Sequence, residues 1–202
     1  MRKYYEWESS EKFLRLDEYS REVIDFIFNN ISLSVQKVKH LWKPFLFRFE
    51  DRKKKSSDFP YLNPCLHAIS EHALAVLKDL IAPYVEILPL KIENSDEVFY
   101  ALNVIQACKI DVSRIECYND TDYVHVYAFP DDILPQALIF RLKNSINSSL
   151  TKTFVSEEFR EVVEANKLKG LLFENEMMYH CDCPTPVLSS KNADSNGQTD
   201  QF

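Results

Sequence analysis

The stretch FVSEEFREVVEANKLKGLLFENE, residues 154–176, decides the fold class of this chain. Ser156 is placed to begin a helix, because a serine hydroxyl accepts an unpaired backbone N–H of the first turn. Apolar residues at spacings of three and four then form one stripe: Phe159, Val162 and Val163. Gly170 is placed to end the helix in the left-handed conformation, and the apolar run 171–173 is typical of a strand. The stretch therefore predicts a cap, a helix and a short strand.

A second stretch, ISEHALAVLKDLIAPYVEILPL at 69–90, follows the same plan. Ser70 is its cap, Pro83 ends its helix because proline lacks the N–H that a helix needs, and 84–88 has strand composition. When the two stretches are aligned on Ser70 and Ser156, their apolar positions coincide. The match indicates either a degenerate internal repeat or two independent uses of a common arrangement, and the pattern alone favours the second explanation.

The remaining segments predict strands and one further helix. Alternating or continuous apolar residues indicate strands at 3–7, 31–35, 45–49, 97–104 and 138–142. A hairpin is expected between 113–118 and 123–129, with its turn at 119–122. An N-terminal helix begins either after Ser10 or, in a shorter form, after 17–20. The expected fold is α+β: a mixed, largely antiparallel sheet with helices packed on it, and two cap-helix-strand units flanking a central hairpin.

Composition narrows the classes of function. The chain has 202 residues and only two glycines, Gly170 and Gly197, so it contains no glycine-rich phosphate-binding loop. Its formal net charge is −7 and its pI about 5.3, which disfavours nucleic-acid binding and suits contact with a basic protein surface. Ordinary solubility explains the same charge. The basic run at 52–55 has no interleaved aromatic residue and is expected to be a solvated loop.

Cysteine usage and hydropathy predict a cytoplasmic protein with reduced thiols. The cysteine count is odd and the spacing does not suggest a disulfide framework; the five are Cys65, Cys108, Cys117, Cys181 and Cys183. The N-terminal residues lack the apolar core of a signal peptide. Since no apolar run reaches about 18 residues, no membrane span and no membrane partner are expected.

Neither a metal site nor a catalytic set is predicted. His180, Cys181 and Cys183 have zinc-ligand chemistry, but structural zinc sites draw on two separated pairs and the second pair is missing. Cys65 lies near His67 in sequence, yet a nucleophile and its base are recognised only by spatial geometry. The adjacent carboxylates at 131–132 and 157–158 diverge in regular structure and suit a solvated surface. No cofactor is expected.

Six segments, in order and spacing, support a resemblance that covers a little over half the chain. They are DFPYL at 58, ISEHALAVL with VEILPL from 69, FYALNV at 99, VHVYAF at 124, LIFRL at 138 and the stretch 154–176. This series is similar to the bacterial immunity protein family eleven, formerly a domain of unknown function, whose members are encoded beside secreted polymorphic or contact-dependent toxins. One departure is Tyr61-Leu62-Asn63-Pro64, where the family often has a glycine-rich turn.

The resemblance implies an immunity-type α+β domain at 58–176, preceded by residues 1–57 packed on it or forming part of it. Residues 177–202 are polar and are expected to be disordered. The implied function is stoichiometric neutralisation of a cognate toxin, without enzymatic activity and with no catalytic residues to transfer. An orphan immunity domain acting as a scaffold is a related possibility.

Candidate toxin contacts are the carboxylates at predicted turns, where they can meet a basic toxin surface. They are Asp96, Glu97, Asp120, Asp122, Asp131 and Asp132. The alternative function is a small cytosolic enzyme or ligand-binding protein, whose pocket would be lined by tyrosine and histidine from 123–129. His125 would be its candidate titratable group. The oligomeric state is not predicted.

Overall fold

A computed structural model describes residues 3–18, 20–50, 54–110, 116–117, 127–128, 136–144, 150–173 and 176–177. These residues form an α+β fold, as the sequence predicted. The helices are α1 (Arg21–Ile27), α2 (Glu71–Ile81) and α3 (Glu157–Ala165), and a π-helical turn (Phe28–Ser32) continues α1. Within the same ranges, no helix has the length and hydropathy required to cross a membrane.

The strands are short and come from all parts of the described chain. In chain order they are β1 (Tyr4–Glu6), β2 (Glu8–Ser9), β3 (Leu16–Glu18), β4 (Leu46–Phe49), β5 (His67–Ser70), β6 (Val85–Pro89), β7 (Lys91–Ile92), β8 (Phe99–Val104), β9 (Ala107–Ile110), β10 (Glu116–Cys117), β11 (Tyr127–Ala128), β12 (Ile139–Asn144), β13 (Leu150–Ser156), β14 (Leu171–Leu172) and β15 (Glu176–Met177).

The largest sheet has the strand order β15-β1-β13-β12-β9. Its pairs are antiparallel except for β12 with β9, which is parallel. The N-terminal strand β1 lies beside β13, with Tyr4 opposite Ser156 and Glu6 opposite Phe154. The N-terminal segment therefore supplies an inner strand of this sheet and orders the start of α3.

Two three-stranded sheets and two strand pairs complete the described fold. The order β5-β8-β6 is antiparallel, and in β3-β4-β7 the pair β4 with β7 is parallel. The pair β14 with β2 joins the end of the stretch 154–176 to the N-terminal segment. The pair β10 with β11 is antiparallel, as expected of the central hairpin, whose turn at 119–122 lies outside the described residues.

The sheet β5-β8-β6 separates two hydrophobic cores. Alternate residues of β8 face opposite sides: Leu102 and Val104 pack with α2 and α3, while Phe99 and Ala101 pack with α1 and the π-helical turn. Asn103, buried within β8, donates from Nδ2 to the Gln36 carbonyl at 2.9 Å and to Glu86 Oε2 at 3.0 Å. The buried polar side chain thus ties the loop after the π-helical turn to the sheet.

The two predicted cap-helix units share one of these cores. Ser70 Oγ accepts the Ala73 N–H at 3.0 Å and Ser156 Oγ accepts the Phe159 N–H at 3.3 Å. The apolar stripes of α2 and α3 then meet in one cluster, which includes Leu77 and Phe159. Each helix alone has one apolar face, so packing the two stripes together with the sheet buries both.

The N-terminal region corrects two sequence predictions. The helix begins after Ser20, whose Oγ accepts the Val23 N–H at 3.4 Å, so the shorter alternative is right and the start at Ser10 is wrong. The strand predicted at 31–35 is also wrong, since 28–32 is a π-helical turn. Ile31 is fully buried whereas Leu33 is 55% exposed, so the alternation does not correspond to one buried face of a strand.

Gly170 has a different role from the predicted helix end. Helix α3 ends at Ala165, and Lys167 adopts the left-handed conformation, with φ 54°. Gly170, with φ 116°, lies three residues later, where a Cβ atom would sit 2.7 Å from Ser57 Oγ and 3.1 Å from the Phe59 carbonyl oxygen. Only glycine permits this close approach of the segment 57–59 at that φ.

Replacing Gly170 with alanine is expected to destabilise the protein by about 1–3 kcal/mol through backbone strain, with a further cost from the clash with Ser57. The measurement is the free energy of unfolding in urea. Lys167→Gly is the matched control, because it removes a left-handed side chain from the same turn and should cost far less. Equal stability of Gly170→Ala and the parent protein would contradict the close packing of 57–59 on this turn.

Candidate functional site

A cavity of about 580 Å³ is a candidate site in the described part of the chain. Its walls come from the N-terminal strands, the segment after Tyr61, the start of β5 and the middle of β13. The lining residues are Glu6, Trp7, Glu8, Ser9, Glu11, Arg15, Tyr61, Leu62, Asn63, Pro64, His67, Lys152, Thr153 and Leu172. Chain segments distant in sequence therefore meet around one space, which sequence spacing does not reveal.

His67 forms part of the buried wall of this cavity. Its Nε2 lies 2.8 Å from Thr153 Oγ1, and its ring centroid is 4.7 Å from that of Trp7. Burial, reinforced by the positive charge of Arg141, lowers the pKa of His67 to about 3. The imidazole is therefore neutral at pH 7 and forms a hydrogen-bonded wall of the cavity. Cys65 lies near His67 in sequence, but the observed hydrogen bond of the imidazole joins it to Thr153.

His67 should make stability depend on pH. The unfolded chain binds the His67 proton with a pKa near 6.5, whereas the folded chain does not bind it until about pH 3. Between these values the unfolded state holds more protons, so stability rises with pH, by at most about 1.4 kcal/mol per pH unit. Urea unfolding at pH 7 and pH 5 should show this slope, and His67→Gln should reduce it. An unchanged slope would contradict the neutral buried imidazole.

The buried arginine Arg141 connects the large sheet to the π-helical turn. It is fully buried in β12, and its guanidinium donates to the Ile31 carbonyl at 2.8 Å and to the Ser32 carbonyl at 3.5 Å. Burial lowers the pKa of Arg141, and the adjacent Cys65 thiol partly opposes that shift. Arg141 belongs to the segment LIFRL, where the sequence offered no sign that its charge is buried.

Asp58 links the two cap-helix units. Its Oδ1 accepts hydrogen bonds from Ser70 Oγ at 2.8 Å and His72 Nδ1 at 3.0 Å, and its Oδ2 accepts the Lys169 N–H at 2.8 Å. Burial by itself raises the pKa of Asp58, but the hydrogen bonds from Lys169, Ser70 and His72 outweigh it and lower the pKa below its usual value. The ionised carboxylate thus holds the start of α2 against the turn that follows α3.

An acidic edge lies beside this link. We use that name for Glu71, Asp96, Glu97 and Val98, all of which are exposed. The turn before it contains Asn94 in the left-handed conformation, with φ 51°. Glu97 Oε2 accepts a hydrogen bond from Ser56 Oγ at 2.6 Å. Glu71, Glu97 and Val98 border a shallow depression of about 310 Å³, whose lining also includes Asp58, His72 and Lys169. Two exposed carboxylates therefore lie beside an exposed apolar side chain.

The structure places two of the six predicted toxin contacts. Asp96 and Glu97 are exposed on the acidic edge. The other four contacts, Asp120, Asp122, Asp131 and Asp132, lie outside the described residues. Sequence reasoning missed Glu71 as a member of this surface, although its place after the Ser70 cap was a signal that it would be exposed on the first turn of α2.

Exposed apolar side chains are concentrated in α1 and the chain after it, a stretch of sequence that we call the apolar ridge. Four of the five exposed large hydrophobic residues in the described chain fall in this short stretch: Ile24, Phe28, Leu33 and Leu41. Phe28 is 59% exposed, and it begins the π-helical turn, a feature often found at functional sites. The sequence did not predict the apolar ridge, because the strand expected at 31–35 would have buried Leu33.

The remaining chemical groups do not assemble into a metal site within the described ranges, where no group of three His, Cys, Asp or Glu side chains is placed to hold an ion. Cys65 is a half-buried free thiol. Cys108 is buried, and burial raises its pKa. The predicted zinc-like cluster at 180–183 and the alternative pocket around His125 both lie outside the described residues.

Comparison with known proteins does not assign a family. The chain matches no model of a protein family, and a search of curated proteins finds no match either. The similarity to immunity protein family eleven, based on ordered sequence motifs, therefore stays a prediction.

Proposed function

We propose that this protein is a cytoplasmic immunity protein, which neutralises a cognate bacterial toxin by binding it in a stoichiometric complex. The order of sequence motifs at 58–176 suggests the class of function. The observation that carries the proposal at the level of the site is the acidic edge, where Glu71 and Glu97 border the same depression as the exposed Val98 and Asp96 is exposed next to Glu97.

The acidic edge has the composition of a surface that meets a basic protein. Carboxylates around an apolar centre combine long-range attraction with a small desolvated contact, and the attraction raises the association rate. Toxins that act on nucleic acids present basic clefts, which such an edge would cover. The edge is also held in place, because Glu97 is bonded to Ser56 and the nearby Asp58 joins α2 to the turn after α3.

The apolar ridge supports protein binding in general. Exposed hydrophobic side chains gathered in one stretch are typical of interaction surfaces. Since the segment 36–43 contributes exposed lysines to the same region, the ridge differs in charge from the acidic edge. It is a second contact region for the same toxin or for another protein.

Co-expression with the toxin encoded beside this gene tests the function. We expect the two proteins to co-purify and the growth of toxin-producing cells to be restored. If neither occurs, the immunity function is wrong.

Charge reversal tests the acidic edge. The double variant Asp96→Lys, Glu97→Lys should weaken binding by about tenfold or more, mainly by slowing association, and the loss should shrink at high salt. The control variant Glu158→Lys, Glu161→Lys makes the same charge change on exposed positions of α3 and should bind nearly normally. Equal affinities for the two double variants would remove the acidic edge from the interface while leaving the immunity function standing.

The alternative function, a small enzyme or ligand-binding protein, has less support than toxin binding. Of the segment 123–129, only Tyr127–Ala128 is among the described residues, as strand β11, and His125 is not, so nothing in the observed geometry favours a pocket there. The loss of a measurable activity in His125→Ala would support that alternative over toxin binding.

A further inference from the structure

The cavity of about 580 Å³ has no part in the proposed toxin contact, since none of its lining residues borders the acidic depression. Its size is within the range of small-molecule sites. It has buried aromatic and polar groups on one wall and charged groups on the others, so its chemistry indicates which class of ligand it would accept.

Besides Lys152, which is ion-paired with Glu6, the positive group that lines the cavity is Arg15. Its guanidinium stacks on the Tyr61 ring, with Cζ 4.3 Å from the ring centroid. Its Nε forms an ion pair with Glu50 Oε2 at 3.4 Å but makes no hydrogen bond. No hydrogen bond from its terminal amino groups is found in the described chain, and the stacking fixes the plane of the fork. Such a planar fork is suited to a carboxylate.

The negative groups lie on the neighbouring wall. Glu6 is already paired, because Lys152 Nζ lies 2.7 Å from its Oε2. Glu11 is exposed, and within the described ranges its carboxylate makes no hydrogen bond or ion pair. Glu8 also lines the cavity. These carboxylates would repel a simple anion, whereas a cationic group in the ligand would be attracted to them.

The inner wall is neutral and lies deep in the fold, since Trp7 is 6% and His67 7% exposed. The Trp7 ring and the His67 imidazole lie against each other, and Thr153 bonds to His67. This surface suits a short apolar or aromatic ligand portion. A ligand that satisfies all three walls has one carboxylate, one ammonium group and a small side chain between them.

We propose that this cavity binds a small zwitterion of the free amino-acid class, with its carboxylate on the Arg15 guanidinium, its ammonium group beside Glu11 and its side chain against Trp7. The site joins β1, β2 and β5 to β13, so ligand binding would stabilise the contact between the N-terminal strands and the rest of the fold.

Titration calorimetry of the full chain with each of the twenty common L-amino acids tests the proposal. We expect at least one to bind. Its methyl ester, which lacks the carboxylate charge, and its N-acetyl derivative, which lacks the ammonium charge, should each bind about tenfold more weakly or worse. The side-chain preference of the tightest ligand would then identify what the inner wall selects.

Two variants test the contacts of the carboxylate and of the ammonium group separately. Arg15→Gln should weaken binding of that amino acid by about tenfold or more, whereas Arg21→Gln, at an exposed position of α1, should leave it unchanged. Glu11→Gln should weaken binding of the free amino acid but not of its N-acetyl derivative. Because Glu11 is exposed, this variant keeps the test valid even if loss of the Arg15 stacking prevents folding.

Three results would overturn the proposal: no amino acid binds, sodium acetate binds as tightly as the best amino acid, or neither variant at the cavity changes the affinity. None of these measurements involves the toxin. Their failure would therefore leave the immunity function untouched, and failure of the co-purification experiment would leave the cavity proposal untouched.

Discussion

Phe159→Ala is expected to lower the free energy of unfolding by about 3–5 kcal/mol, the range for removal of a buried phenylalanine side chain. Phe159 is 0% exposed and its ring centroid lies 5.6 Å from that of Trp7. The same core contains Leu77 of α2. The substitution would therefore leave a cavity where α3, α2 and the N-terminal segment meet, and chemical denaturation followed by circular dichroism would measure its cost.

Glu161→Ala is the control, because Glu161 is exposed on the same helix and surface changes of this kind usually stay within about 0.5 kcal/mol. A cost below about 1 kcal/mol for Phe159→Ala would mean that α3 does not pack on this core. The substitution should also weaken toxin binding only in proportion to the unfolded fraction, since the fully buried Phe159 cannot contact a partner directly.

Arg141→Met should be the second large effect. Methionine keeps most of the length and apolar stem of arginine but removes the donors to the Ile31 and Ser32 carbonyls. Leaving a buried acceptor unpaired costs about 1–3 kcal/mol. Removing the buried positive charge has the opposite effect, because it raises the free energy of unfolding. We expect the lost hydrogen bonds to dominate, because both carbonyls belong to the π-helical turn that Arg141 holds.

Hydrogen exchange distinguishes this role from simple packing. In Arg141→Met, amides of the π-helical turn should exchange faster, whereas those of α3 should change only with global stability. Arg48→Met is a control for the loss of an arginine charge, since Arg48 lies at the surface in an exposed ion pair with Asp17. If Arg141→Met is as stable as the parent protein, the hydrogen bonds from Arg141 to the two carbonyl groups make no net contribution to the free energy of unfolding.

Local signals were sufficient for the two cap-helix units. Ser70 and Ser156 accept N–H groups from residues three positions later. The apolar stripes of the helices repeat at short spacing. Both features therefore depend only on residues that are close in sequence. Strands such as β4 and β8 were found for the same reason. The α+β class followed from these elements, because helices with one apolar face need a sheet to cover it.

The candidate sites were less accessible to sequence reasoning. The acidic edge was found in part, because Asp96 and Glu97 lie in a turn marked by asparagine and serine. The cavity was not found, since Arg15, His67 and Thr153 are far apart in the chain and meet only through strand pairing. Gly170 was recognised as a special position, but its reason is the approach of Ser57, a contact more than a hundred residues away in sequence.

The sequence by itself determined where the helices at 71–81 and 157–165 begin, which of their faces are apolar, and that the chain is α+β, because these depend on hydrogen bonds and side-chain spacing within a few residues. Only the tertiary structure decided that β1 pairs with β13, that Arg141 is buried against the π-helical turn, and that a cavity forms around Arg15 and His67. These features depend on contacts between distant segments, whose free energy comes from burial and pairing in the assembled fold.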